Sequence, residues 1–124
     1  MSAEVLGRDL AYIVAALLVL TGVVALWQPA ILSHLYGCYA HERNGRAFVR
    51  ATGARDVVFG VIVAGVAVLA PGGLRAIAVL GMALSAADAA IVFTANSGFV
   101  RELIGHFLGF AAFAALFFLV GIGL

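Results

Sequence analysis

Two arginines and an aspartate stand at the entrance of a long apolar segment, within the stretch from Arg50 to Gly60. Asp88 lies among alanines in the next apolar segment, and His106 lies near the start of the last one. Ionisable side chains are costly inside a bilayer, so they normally face a protein interior, a partner charge or a wet cavity. Carboxylates and an imidazole held together can take protons from a bound molecule and return them. These residue types therefore predict acid–base chemistry within a membrane.

The composition is that of an integral membrane protein. The chain has 124 residues, of which 65% are hydrophobic and 10% are charged, whereas a soluble domain has about 25% charged residues. The mean hydropathy of +1.19 agrees with this interpretation. The net charge is only +1, and no basic stripe is present to meet a phosphate backbone, which argues against a nucleic-acid partner. We expect the lipid bilayer to be the main partner, with assembly into a homo-oligomer left open.

Four apolar segments are long enough to cross the hydrocarbon region, which needs about 20 residues. The segments are residues 10–27, 48–70, 74–95 and 100–124. Tight connections make consecutive helices antiparallel neighbours. The sequence therefore predicts an all-α fold, an integral membrane antiparallel four-helix bundle, in which residues 1–124 form a single domain.

Small residues allow membrane helices to approach each other closely. Six glycines in the last three segments are expected to provide such faces. They are Gly53, Gly60, Gly65, Gly81, Gly105 and Gly109.

The polar residues of three segments fall at one depth. The second segment starts, the third ends and the fourth starts on the same side of the membrane, here named the B side, and the opposite side is the A side. Arg50, Arg55 and Asp56 lie in the B-side half of the second segment. Asp88 lies roughly 10 Å from the B end of the third segment, and His106 lies a few residues into the fourth. The A-side half is apolar, so we expect it to hold the hydrocarbon part of a lipophilic ligand.

The pairing of these charges is open from the sequence. Arg55 and Asp56 point about 100° apart on a helix, so they are not expected to face the same partner. One arrangement sends Arg55 to Asp88, and Asp56 towards Arg50 or His106. Arg50 is also placed to extend to the membrane interface. An Arg55–Asp88 pair would either hold the helices together or take part in chemistry.

If the cluster is catalytic, its members have distinct roles. Asp88 would act as the base or water activator, and Asp56 as the proton donor. Arg55 would orient the two carboxylates, and His106 would bind the developing oxygen charge or relay protons. Four further residues are expected to contact the substrate or close the site: Arg50, Tyr36, Tyr39 and Glu102. Glu102 precedes His106 by four residues, so the two can touch along a helix.

We expect neither a metal nor another cofactor. His34 and His41 add to the pool of metal-ligand residue types, but no helix carries paired ligands at a zinc-binding spacing. There is no phosphate-binding glycine loop and no pair of cysteines. Cys38 is the only cysteine, so no intrachain disulfide forms, and it is read as a packed loop residue more readily than as a catalytic thiol.

The stretch that contains Arg50, Gly53, Arg55, Asp56 and Gly60, followed by Asp88 and His106, resembles that of a family of small four-span membrane proteins of bacteria and fungi. In its general appearance the chain is similar to the DoxX-like membrane proteins. The resemblance implies a four-span fold over about residues 8–124 and carries no established active site. Separately, an aspartate–arginine–aspartate set resembles the group with which the soluble limonene-type epoxide hydrolases activate water and protonate the epoxide oxygen.

Two functions follow as expectations. The first is a small membrane enzyme that opens an epoxide in a lipophilic substrate, by hydrolysis or cyclisation, or that isomerises such a substrate. The second is a non-enzymatic accessory or transport subunit, in which the arginine–aspartate network is structural or carries protons. The positive-inside rule places the B side in the cytoplasm and both termini outside, in an inner or plasma membrane. The arginines behind this placement are Arg43, Arg46, Arg50 and Arg101 on the B side, against Arg8 and Arg75 on the A side.

Overall fold

A computed structural model describes residues 2–36, 42–98 and 100–122. Helix is the dominant structure of this part of the chain. The helices are α1 (Ala3–Trp27), the short α2 (Pro29–Leu32), α3 (Arg43–Leu69), α4 (Leu74–Ala95) and α5 (Leu103–Ile122). A single 3-10 turn, Pro71–Gly73, joins α3 to α4.

The four long helices are each long and apolar enough to cross a membrane. Their outward surfaces carry large apolar side chains; for example, Leu20, Val61 and Leu108 are each at least 60% exposed. A surface of this kind is stable against lipid and not against water. The predicted fold, an all-α bundle of membrane-spanning helices, is confirmed.

Two helices begin earlier than their apolar segments, and one begins later. α1 starts at Ala3 because the Ser2 hydroxyl accepts a hydrogen bond from the Val5 amide (3.4 Å) and caps the first turn. α3 starts at Arg43, so its first turn is polar. α5 starts only at Leu103. α1 and α3 thus extend beyond the hydrocarbon region at their N-terminal ends. Hydropathy marks the part of a helix that lies inside the membrane and not the residue at which the helix begins.

Glycines bring α1 and α3 into direct backbone contact. A Cβ atom added at Gly22 would lie 2.5 Å from the Gly53 carbonyl oxygen, and one added at Gly60 would lie 2.8 Å from the Ala15 carbonyl oxygen. Gly81 of α4 faces the ring of Phe113 in the same way. These contacts require residues without a side chain.

The prediction of close contact is wrong for two of the six glycines. Nothing lies within 4 Å of a Cβ built on Gly65, and one on Gly105 would make only ordinary contact with Leu35 at 3.8 Å. Spacing along one helix does not show which face meets a neighbour. Gly22, which the sequence reasoning did not select, makes the tightest of the α1–α3 contacts.

The hydrophobic core differs between the two ends of the bundle. In the A-side half one continuous cluster joins all four long helices, with Ala11, Val63, Ala78 and Leu116 fully buried at its centre. The centre of this half is therefore filled by the protein's own side chains. The expectation that the A-side half holds the hydrocarbon part of a ligand stays a prediction, which only a groove at its surface could meet.

In the B-side half the core divides into two clusters. One joins α1, α2 and α3 through Ala25, Leu32 and Val49. The other joins the end of α4 to the start of α5 through Val92 and Leu103. Since α1 packs mainly on α3, and α4 mainly on α5, with few contacts between α3 and α4, the two helix pairs separate towards the B side. The polar residues lie in the space between them.

Candidate functional site

A cavity of about 430 Å³ lies between the two helix pairs on the B side. Its polar wall consists of Arg55, Asp88, His106 and Tyr36, with the hydroxyl of Thr52 on the same helix face as Arg55. The rest of the wall is apolar: Phe48, Ala51, Ile91, Val92 and Ala95. The volume is within the range of small-molecule sites, and a mostly apolar wall with a few convergent polar groups is typical of them.

Arg55 joins the two helix pairs across this cavity. Its Nη1 donates to Asp88 Oδ1 at 2.9 Å, and its Nη2 donates to Asp88 Oδ2 at 2.8 Å. This two-pronged geometry is the strong form of an arginine–carboxylate pair. The predicted Arg55–Asp88 contact is confirmed.

Arg55 also contacts its own neighbour in sequence. Its Nη2 and Nε donate to Asp56 Oδ1 at 3.0 and 3.3 Å. The sequence analysis did not foresee this contact, which forms because the long arginine side chain bends back to the adjacent carboxylate. As expected, the two residues share no third partner among the described residues: Arg55 pairs with Asp88, and Asp56 with Tyr36. One guanidinium therefore serves two carboxylates from two helices.

Asp56 is enclosed and does not reach the described wall of the cavity. Its Oδ2 accepts a hydrogen bond from the Tyr36 hydroxyl at 2.9 Å, and its side chain is 8% exposed against 20% for Asp88. The predicted direction of Asp56, towards Arg50 or His106, is not the one its hydrogen bonds take: its oxygens accept from Arg55 and Tyr36. Both oxygens of Asp56 act as acceptors, which leaves neither aimed at a ligand.

Tyr36 is placed by the connection between α1 and α3. Its backbone amide donates to Leu32 at the end of α2, and its ring packs on the cluster formed by Ala25, Leu32 and Val49. Burial, then the charge of Asp56 and the hydrogen bond to it, raise the pKa of the Tyr36 phenol. Tyr36 therefore stays protonated and donates to Asp56 at all ordinary pH values.

His106 forms part of the cavity wall opposite α3. Its Nε2 is buried and has no hydrogen-bond partner among the described residues. An unpaired buried polar atom costs about 1–3 kcal/mol, and such atoms occur at sites where a ligand completes the hydrogen bonding. His106 lies within the electrostatic influence of Asp88, Arg55 and Asp56.

Two of the other predicted contact residues, Arg50 and Glu102, do not line the cavity. Arg50 is exposed, and its Nε donates to the Leu26 carbonyl at 3.2 Å, where it binds one of the last carbonyls of α1. Glu102 lies in the turn before α5 and is not among the described residues that line the cavity. No hydrogen bond joins Glu102 and His106 among the described residues, and α5 begins one residue after Glu102. Tyr39 lies outside the described residues, as do Cys38 and His41.

The sequence reasoning missed Thr52 and the apolar residues of the wall. Phe48 and Thr52 precede Arg55 by seven and three residues, and Ile91 and Ala95 follow Asp88 by three and seven. These are the spacings of one helix face. The same face rule, applied outwards from Arg55 and Asp88, would have identified them.

A second depression continues the gap between α3 and α4 towards the A side. It is an open apolar groove of about 540 Å³, lined by Ala54, Val58, Phe59, Ile62, Leu80 and Leu84 together with Arg55. Arg55 thus borders both the cavity and the groove. An amphiphile can place its polar part against the ion pair and its chain along the groove.

The sequence matches no protein-family model, no curated protein and no solved structure in comparisons with each. The fold and the charged cluster define the chain as a helical integral membrane protein with a polar site between two helix pairs, and the family resemblance stays a prediction. Within residues 2–36, 42–98 and 100–122, no three side chains of the types His, Cys, Asp and Glu gather in a way that could hold a metal ion.

Proposed function

We propose that this protein is a small membrane enzyme that opens epoxides of lipophilic substrates by acid–base chemistry. One observation supports this above the others: the Asp88 carboxylate, fixed by two hydrogen bonds from Arg55, borders an apolar cavity of about 430 Å³. A purely structural ion pair needs no cavity beside it. Here the pair forms the polar end of a space large enough for a small organic molecule.

The proposed reaction adds water across the C–O bond of the epoxide. Asp88 takes one proton from a water molecule as the water oxygen attacks a ring carbon. The ring C–O bond breaks, its electron pair stays on oxygen, and that oxygen receives a proton from protonated His106. The product is a diol. The proton on Asp88 then returns to His106, so the enzyme is restored and all atoms are accounted for.

In this proposal the proton donor is His106 and not Asp56, for which the sequence predicted that role. Asp56 accepts hydrogen bonds at both oxygens and lies behind Tyr36 and Arg55. His106 lines the cavity. Its Nε2 is unpaired but buried, so in this proposal the imidazole ring turns to bring that atom to the substrate. In this proposal Asp56 and Tyr36 are positioning residues, because they hold the guanidinium that in turn holds Asp88.

The hydrocarbon part of the substrate is assigned to the groove between α3 and α4. The interior of the A-side half is filled, whereas the groove lies directly next to Arg55 and is almost entirely apolar. Its open side suits a substrate that arrives from the bilayer. An internal hydroxyl in place of water would give cyclisation with the same residues.

We further propose that the B side, with its arginines, faces the cytoplasm in an inner or plasma membrane. Arg43, Arg46, Arg50 and Arg101 are all exposed at this end. The positive-inside rule favours this orientation over its inverse. A cysteine-accessibility measurement in intact cells, with single cysteines at Asn44 or Gly72 in a cysteine-free background, distinguishes the two.

The test is the conversion of lipophilic epoxides by purified protein in lipid nanodiscs, with the diol detected by mass spectrometry in isotopically labelled water. We expect Asp88→Asn to lower turnover by about 10²–10⁴-fold, while the folded fraction stays that of the wild type. Asp9→Asn, an exposed carboxylate at the A-side end of α1, is the matched control and should keep full activity. Equal turnover by Asp88→Asn and the wild type would overturn the assignment.

The alternative function is an accessory subunit in which Arg55 and Asp88 only join the helix pairs. The two-pronged geometry of that pair is the observation in its favour. In that case no epoxide would be converted, and Asp88→Asn would change the melting temperature alone.

A further inference from the structure

We infer that the B-side cavity selects positive charge, so that it binds lipophilic ammonium ions in preference to neutral molecules of the same shape. This inference deepens the proposed function, since the same preference would favour an epoxide-opening path in which positive charge builds up on carbon. The binding itself requires no turnover and can be tested separately.

The site holds more negative than positive charge. Arg55 is the one cation that the described residues bring into contact with Asp56 and Asp88. With both carboxylates ionised and His106 neutral, the cluster carries a net charge of −1 in apolar surroundings. A charge interacts more strongly there than in water. The arrangement is therefore completed by one additional positive charge, which is either a proton or a cationic ligand.

The guanidinium does not cancel this preference at the cavity. All three nitrogens of Arg55 donate to Asp56 or Asp88. The Asp88 carboxylate stays 20% exposed, so its outer edge is available to a group in the cavity. A ligand cation beside Asp88 thus supplies the one positive charge that the cluster as a whole lacks.

Two aromatic residues reinforce the preference. Phe48 from α3 and Tyr36 from the α2–α3 connection both line the cavity, and ring faces attract a cation within about 6 Å. Ile91, Val92 and Ala95 give the remaining wall no charged group. A tertiary alkylammonium fits such a site because it presents one positive charge, one N–H donor for Asp88 and otherwise apolar surface.

The preference of the cavity for positive charge also affects which ring carbon of the epoxide reacts. When protonated His106 gives its proton to the epoxide oxygen, the positive charge passes to the substrate and the cluster is left with a net charge of −1. Positive charge then develops on the ring carbon that best supports it, which is the more substituted one. Epoxides with a fully substituted ring carbon, such as those of branched or isoprenoid chains, are therefore the expected substrate class, with water attached at that carbon.

The test measures binding of radiolabelled N,N-dimethyldodecylamine to the protein in nanodiscs of neutral lipid. Its neutral competitor is dodecyl isopropyl ether, which has the same dodecyl chain, a similar branched end and no charge. At about pH 8.5 an ordinary histidine is neutral and an alkylamine is still protonated. We expect the amine to bind about tenfold more tightly than the ether. Equal affinity of the amine and the ether for the wild-type protein would overturn the inference.

Two variants locate the site. Asp88→Asn should abolish the preference for the amine, whereas Asp9→Asn should retain it. Retention of the preference in a folded Asp88→Asn protein would also overturn the inference. Amine binding without epoxide conversion would remove the proposed reaction and leave the cation site. Epoxide conversion without a preference for the amine would remove the cation site and leave the proposed reaction.

Discussion

Arg55 and Asp88 meet across the gap between two helix pairs through parallel hydrogen bonds of 2.9 and 2.8 Å, and the same guanidinium holds Asp56 at 3.0 Å. One cation therefore neutralises parts of two acids. The two members of the Arg55–Asp88 pair are therefore not equivalent. Replacing Arg55 and replacing Asp88 should lower the stability of the protein by different amounts.

We expect Arg55→Met to destabilise the protein by about 3–5 kcal/mol, because it leaves the enclosed Asp56 and the partly buried Asp88 without a cation. Asp88→Leu should cost about 0–2 kcal/mol, since Arg55 keeps Asp56 as its partner and an apolar side chain suits the remaining surroundings. Equilibrium unfolding in mixed detergent micelles measures both. Equal losses from the two variants would show that Asp56 does not hold Arg55 in solution.

Replacement of Tyr36 by phenylalanine removes one donor to Asp56 and should cost about 1–2 kcal/mol. Because burial and Asp56 raise the pKa of Tyr36, the folded state holds this proton more tightly than the unfolded state. The stability that Tyr36 contributes is therefore fully present below its ordinary pKa of 10.0 and is lost as the pH rises above that value.

Melting temperatures measured between neutral pH and strongly alkaline pH will show this contribution. The decline above the ordinary tyrosine pKa should be smaller in Tyr36→Phe than in the wild type. Tyr12→Phe, on the partly lipid-facing surface of α1, is the control and should follow the wild-type curve. A Tyr36→Phe curve parallel to the wild-type curve at alkaline pH would contradict the prediction.

Gly22→Ala should destabilise the α1–α3 pair by about 1–3 kcal/mol. The new methyl would lie 2.5 Å from the Gly53 carbonyl oxygen and 2.9 Å from the Val57 amide nitrogen, and neither backbone atom can turn aside. Gly65→Ala is the matched control in a helix with open space around it, and it should be neutral or stabilising by up to about 1 kcal/mol. Thermal unfolding compares them, and similar melting temperatures would argue against the close crossing.

Ala51→Phe should fill the cavity and lower epoxide turnover by about 10²-fold, because the reacting groups can no longer reach a near-attack geometry. Ala51 lines the cavity on an exposed position of α3, so the change should leave the fold intact. Ala87→Phe, on an exposed position of α4 that is not among the described lining residues, should keep its activity. Full activity in Ala51→Phe would place the substrate elsewhere.

The four spanning helices could be predicted because each apolar run is long and the turns between the later ones are clear. The meeting of Arg55 with Asp88 followed from depth alone, since both lie at a similar distance from the B side. Depth does not give the reach of a side chain, however. That is why the contact of Arg55 with adjacent Asp56 was not foreseen, and why Tyr36 was expected at the site but not as the partner of Asp56.

Other features depend on helix orientation about its own axis, which a pattern of near-uniform apolar residues does not encode. Gly65 and Gly105 were expected at helix contacts and lie in open or loosely packed positions, whereas Gly22 makes one of the closest contacts. The separation of the helix pairs on the B side also escaped prediction, because it results from the sizes of side chains on four helices at once.

The two ionic contacts of Arg55, with Asp56 and with Asp88, have a consequence for how the chain inserts into the membrane. α3 leaves the ribosome before α4, so we expect Arg55 to reach the bilayer before Asp88 does. An unaccompanied arginine would resist insertion, but Asp56 follows it directly in the chain and enters with it as a neutral unit. Asp88 arrives later with the second hairpin and finds a guanidinium already in place. We therefore expect the contact that borders the cavity to be the last ionic contact of the cluster to form during biogenesis.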